Sequence, residues 1–159
     1  MAPNHKGEML MADNTQILNL VRELFEGPDG DDGKFLDRDG GLFSTLSHIR
    51  GDQADAHPVG QPSLYNITLH VRDTLAHGLA LARDAHAKEP NWSLAWDPHH
   101  ATNLEWHALQ TQLEGDYREW KSLLEHSEVA RSSAVPTLVH LALHLGGIRR
   151  QWKLLRARG

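Results

Sequence analysis

Residues 137–152 read TLVHLALHLGGIRRQW. The run is mostly leucine, alanine and valine, the composition of a helix built to pack against a hydrophobic core. Two histidines, His140 and His144, are set into it four residues apart. Positions four apart on an α-helix differ by about 40° around the axis, so the two imidazoles project the same way. They are either core polar residues satisfied by packing or two ligands offered to one metal ion by one rigid element. Zincin proteases use the same offset for the same geometric reason. Their glutamate is missing here, because residues 141 to 143 are Leu, Ala and Leu, and a zincin reading is set aside.

Helical signatures continue outward from this segment. In DNTQILNLVRELFEG (13–27), Ile17, Leu18, Val21, Leu24 and Phe25 recur at helical spacing between a cap at Asp13 or Asn14 and Gly27. PDGDDGKFLDRDGG (28–41) is dense in Gly and Asp and reads as a surface loop. It lacks the alternating acids and closing glutamate of a calcium loop. LFSTLSHIR (42–50) predicts a short helix, and an irregular stretch then leads to Pro62 and Ser63, which open the helix SLYNITLHVRDTLAHGLALARDAHA. KEPNWSLAWDPHH (88–100) is a connector with two tryptophans. ATNLEWHALQTQLEGDYREWKSLLEH (101–126) is a long amphipathic helix with Leu104, Leu109, Leu113, Tyr117, Trp120 and Leu124 near one face. SEVARSSAVP leads into a last helix over about 135–156. No strand alternation is sustained and no internal repeat is found. The pattern is all-α, with four main helices and one additional short helix, and it predicts an antiparallel four-helix bundle. A single domain is expected over 13–159, after a disordered extension over 1–12.

Composition narrows the function. A chain of 159 residues is large enough for one domain with a real core. There is no cysteine, which rules out disulfides, thiolate ligands and a cysteine nucleophile, so any thiol chemistry needs a thiol cosubstrate. A formal net charge of −5 argues against general binding to nucleic acid or anionic membranes. The N-terminus has no apolar core of signal-peptide length and no later run approaches membrane-spanning length, which makes the cytoplasm the expected compartment. Twelve histidines against two tyrosines and three phenylalanines direct attention to imidazole chemistry.

A third histidine joins the pair. His70 shares the core-directed face of its helix with Ile67, Val71, Thr74 and Leu81. Alone it would read as a core histidine held by hydrogen bonds. Three histidines on the inward faces of two bundle helices favour a metal site, which bundle cores commonly build from facing helices. His77 is two turns beyond His70, roughly 10 Å along the axis, too far to share that metal; it is a surface residue or lines the pocket mouth. His99 and His100 are adjacent and cannot face one way, so a solvated loop role is expected, and His107 has no evident partner. Trp92, Trp96, Trp106 and Trp120 read as core and interface anchors before they read as an aromatic wall for a ligand. The basic C-terminus RRQWKLLRAR is explained by cations complementing a helix dipole, not by nucleic-acid contact.

The segments LVHLALHLGGIRRQW and SLYNITLHVRDTLAHGL, with the upstream rhythm of LFSTLSHIRGDQADAHPVGQPSLYNI, resemble the DinB/YfiT-like helical bundles over about 42–152. That resemblance implies a four-helix bundle, often a homodimer, holding a divalent metal through His70, His140 and His144. Zinc or nickel is the metal it implies, and iron suits the same imidazoles. It further implies hydrolysis of a small-molecule substrate or transfer of a low-molecular-weight thiol at an open coordination position, where a bound water can be acidified. No catalytic side chain is assigned. A non-catalytic metal-binding or interaction bundle is the alternative. Gly147, where many such bundles carry glutamine, and the long acidic loop over 28–41 depart from the family pattern. Asp73 and Glu105 are candidate outer partners for the ligand rings.

Overall fold

The computed structural model describes residues 5–158, with side chains from Thr15 onward. Among these residues every regular element is helical: α1 (His5–Glu26), α2 (Leu42–Ser47), α3 (Gly51–Asp55), α4 (Leu64–Arg83), a 3₁₀ turn (Trp92–Trp96), α5 (Asn103–His126) and α6 (Glu128–Ala157). The all-α class is therefore as expected, with four long helices. Two short α-helices and the 3₁₀ turn stand where one short helix was anticipated.

The differences from the sequence reading have local causes. α1 begins at His5, ahead of the anticipated cap at Asp13 or Asn14. Glu, Met, Leu and Ala in this stretch are good helix formers and give the helix no reason to stop. Residues 1–4 of the anticipated disordered extension lie outside the described residues. α3 escaped notice because five residues carry no period; the Gln53 side chain accepts the Arg50 N–H at 3.0 Å and starts it. α6 begins at Glu128, not near 135, and contains Pro136. Ser127 caps it, its hydroxyl accepting the Ala130 N–H at 3.2 Å. A mid-helix proline costs about 3 kcal/mol in isolation. Here Ala130 and Ala134 before it and Thr137 and Leu138 after it are all buried, so tertiary packing overrides propensity. On α5, Leu104 faces solvent and Trp106 takes the core position, beginning the buried series Trp106, Leu109, Leu113, Tyr117, Trp120 and Leu124.

One hydrophobic cluster draws residues from all six α-helices. α4 packs against both α6 and α5, and α1 packs against the same two helices. Phe25 of α1 stacks on Tyr117 of α5 with centroids 4.4 Å apart, and Phe43 meets the same ring edge-on. The α4–α6 seam is close. A Cβ placed on Gly78 would lie 2.7 Å from Thr137 Cγ2, so only glycine permits this approach. Gln151 Nε2 donates to the Pro62 carbonyl at 2.9 Å and ties α6 to the residues that open α4.

The acidic loop over 28–41 is held by one carboxylate. Glu23, almost wholly buried on α1, accepts the backbone N–H groups of Lys34 (2.9 Å), Phe35 (2.8 Å) and Leu36 (2.8 Å). Burial works to raise its pKa, but the three donors outweigh it and hold the group below its usual 4.5. A depressed folded value means that this contribution is present above the unfolded pKa and disappears as pH falls through the folded one. In Glu23→Gln the amide N–H₂ must oppose one of the three donors. The expected cost at neutral pH is about 1–3 kcal/mol by urea denaturation. The difference from wild type should shrink as pH drops below 4.5.

Candidate metal centre

α4 supplies His70 and α6 supplies His140 and His144. The helix-periodic burial of Ile67, His70, Val71 and Thr74 turns His70 toward α6. The closeness at Gly78 and Thr137 then brings the rings together. All three Nε2 atoms converge: His70 to His140 at 3.0 Å and His140 to His144 at 2.8 Å. The ring centroids of His70 lie 5.2 Å and 4.6 Å from those of His140 and His144. Three imidazoles bound tetrahedrally to zinc at about 2.0–2.1 Å would hold their nitrogens about 3.3 Å apart. The 3.0 Å and 2.8 Å separations of the trio are within about half an ångström of that.

Hydrogen bonding accounts poorly for this arrangement. A ring nitrogen carries either a proton or one in-plane lone pair. His140 Nε2 can serve both neighbours only by sharing one N–H between two acceptors, yet it lies as close as 3.0 Å and 2.8 Å to them. A cation at the centre would take a lone pair from each ring and remove the conflict. The donor set thus fits a transition ion, and this group of residues could hold one.

Electrostatics point the same way. Burial, and then the neighbouring His140, push the His70 pKa below 6.5, with Asp73 pulling weakly in the opposite direction. Burial, followed by His70 and His140, takes His144 down to about 4. Both rings are neutral at pH 7, the form in which an imidazole ligates. The anticipated outer partners are engaged elsewhere. Asp73 pairs with Arg72 at 2.9 Å. Glu105 serves the start of α5, accepting the Thr102 N–H at 2.7 Å, and pairs with His99 at 3.0 Å. His70 Nδ1 is buried with no hydrogen-bond partner.

The four tryptophans divide into two roles. Trp106 and Trp120 are fully buried core residues. Trp92 and Trp96, on the 3₁₀ turn, wall the histidines: Trp96 lies 4.7 Å from His70 and 6.4 Å from His144, and Trp92 lies 5.6 Å from His70 and 6.5 Å from His140, all centroid to centroid. Asn66 fixes the turn to the first turn of α4. Its Nδ2 donates to the carbonyls of Ala95 at 2.6 Å and Asp97 at 3.0 Å, and its Oδ1 accepts from the Ser63 hydroxyl at 2.7 Å. The sequence signal for this clamp was an asparagine one turn before His70 on an apolar face. His77 meets the edge of Trp92 at 5.5 Å, outside the trio. A groove of about 610 Å³ lies apart from all three histidines, among His48, Arg149, Trp152, Lys153 and Arg156. Convergent donors, and not concavity, mark the metal centre. No family model, curated protein or solved structure matches the chain.

The ring pKa values give a direct check on metal-free protein. Ring-proton NMR should show His144 titrating near pH 4 and His70 below 6.5. Because the folded values are lowered, the contribution of the neutral rings to stability is complete above 6.5 and is lost as pH falls toward 4.

Proposed function

We propose that the chain is a DinB/YfiT-like antiparallel four-helix bundle that holds a divalent transition metal through His70, His140 and His144. The observation that carries this reading is the convergence of three Nε2 atoms at distances that one shared N–H satisfies poorly. Zinc or nickel suits three neutral imidazoles best, with iron as the third option. Bound there, the metal would supply Lewis acidity at a position left open to water or a thiolate. The reaction class is hydrolysis of a small molecule or transfer of a low-molecular-weight thiol, and the absence of cysteine makes any thiol a cosubstrate.

The chain's own residues do the rest. The α4–α6 seam fixes the rings, burial keeps His70 and His144 neutral, and Trp92 and Trp96 limit how water and substrate reach them. A homodimer belongs to the same reading. Val135, Val139 and Leu143 are exposed at four-residue spacing on α6, an apolar stripe that a second copy would cover. Among the described residues no helix is long and apolar enough to cross a membrane. The alternative reading is a non-catalytic metal holder: among the described residues no carboxylate is hydrogen-bonded to a ligand ring, so none orients a ring or raises its basicity for chemistry.

Metal analysis decides the central claim. Purified protein loaded at neutral pH should retain one equivalent of divalent metal at this centre, and His144→Ala should weaken it by more than about 100-fold, beyond what losing an outer partner alone costs. Wild-type protein that retains none would defeat the proposal. Azide or water-exchange spectroscopy on cobalt-loaded protein separates an open position from a closed one.

Gly78→Ala tests the scaffold. Ala is favoured over Gly in a helix by about 1 kcal/mol, but here its Cβ meets stiff Thr137 at 2.7 Å. The variant should be destabilised by about 1–3 kcal/mol in thermal or urea unfolding, and its metal affinity should fall with it. Unchanged affinity would mean that the seam does not set the site.

A further inference from the structure

A second constellation of ligand-type side chains lies where α3 ends and α5 begins. Asp55 is the last residue of α3, His57 follows two positions later, and His100 stands two positions before Thr102, the cap of α5. Two packing contacts bring these segments together. Gly51 opens α3 so close to α5 that a Cβ there would overlap the Asn103 side chain. The Trp106 indole donates to the Ile49 carbonyl at 2.8 Å. Pro58 confines the preceding His57 to extended backbone, which turns the chain away from α3.

The carboxylate is already oriented. Asp55 Oδ1 accepts the Ala101 N–H at 2.6 Å, and Oδ2 lies 3.1 Å from His100 Nδ1. The His57 ring sits against His100 with centroids 4.8 Å apart and planes at 55°. One ligand atom from each of the three residues lies within 4.8 Å of the others. A surface ion pair would explain His100 beside Asp55. Asp55 attracts His57 as well, but charge alone does not set the two rings 4.8 Å apart, because they would repel each other if both were charged.

We propose that Asp55, His57 and His100 form a second divalent-metal site, open to solvent and independent of the three-histidine centre, which takes a borderline transition ion such as zinc. Two imidazoles and one carboxylate suit zinc, nickel, copper or iron, while calcium and magnesium prefer all-oxygen shells. The Ala101 N–H serves as the outer partner that holds the carboxylate in place. His57 and His100 are both exposed, so their rings can rotate to close the remaining distance. A bound ion would fasten the chain after α3 to the start of α5. It would bind more weakly than an ion held among the three histidines, because two of its ligands stand on exposed segments and must be immobilised from solvent.

Zinc titration of the full-length chain followed by calorimetry tests this. Wild type should take a tight and a weaker equivalent, and His57→Ala should weaken the second by more than about tenfold without touching the first. The double variant His140→Ala/His144→Ala should keep only the His57-dependent equivalent, so failure of one site is distinguishable from failure of the other. If that double variant does not fold, ring-proton NMR of wild type carries the test: the His57 and His100 signals should move with the second equivalent. Static signals for both rings in excess zinc, or a His57→Ala variant with undiminished weak binding, would overturn the proposal.

Discussion

The absence of a side chain at Gly78 sets the geometry on which the candidate metal centre depends. α4 and α6 can approach until Thr137 Cγ2 occupies the volume that a Cβ at 78 would need, 2.7 Å away. Thr137 is one turn before His140, and Gly78 is about two turns beyond His70. The contact therefore fixes the seam close to the three imidazoles. At the other end, Gln151 holds the Pro62 carbonyl at 2.9 Å, so α6 is registered against α4 on both sides of the histidines. A helix pair pinned at two points cannot slide to relieve a crowded polar cluster between them. The short Nε2 distances follow from that constraint.

Burial then sets the chemistry of the rings. Desolvation is the largest cause lowering both His70 and His144, and the proximity of the other rings adds to it. The same interface that crowds the imidazoles keeps His70 and His144 unprotonated and able to donate lone pairs. The connector completes the enclosure. Asn66 binds the Ala95 and Asp97 carbonyls, which presents Trp92 and Trp96 to the histidines as a wall. The rings carry a cost of their own: His70 Nδ1 is buried without a partner, a deficit of about 1–3 kcal/mol that packing elsewhere offsets.

Much of this was legible in the sequence where a period was long enough to read. α4 and α5 showed their apolar faces, and the four-residue spacing of His140 and His144 placed two imidazoles together before any coordinates. His70 followed from its place among Ile67, Val71 and Thr74. Short and override-dependent features were not legible. α3 has too few residues for a period, and Pro136 argued for a helix boundary that buried Ala130 and Ala134 overrule. Leu104 was placed on the core face because a leucine near a helix start fits many registers, and Trp106 fits that face better. The split of the tryptophans depended on a hydrogen bond from Asn66 across the connector; an asparagine on an apolar face signals a buried polar partner but does not say which segment supplies it. Glu23 is similar: one glutamate on an amphipathic helix gives no hint that three backbone donors from the loop converge on it.

The three histidines and their scaffold make opposite demands, which would link a bound metal to folding. Close packing at Gly78 favours the native seam, while the ring nitrogens gathered along it are poorly satisfied by one shared N–H. A ligand that binds only the gathered arrangement stabilises the fold by RT ln(1 + [L]/Kd). Its effect would be concentrated at the α4–α6 seam, where the three rings meet. Other buried donors also lack partners, among them Trp120 Nε1 and Trp152 Nε1. What sets the histidines apart is convergence: their ring nitrogens face one another, and a group of this kind could hold a metal ion.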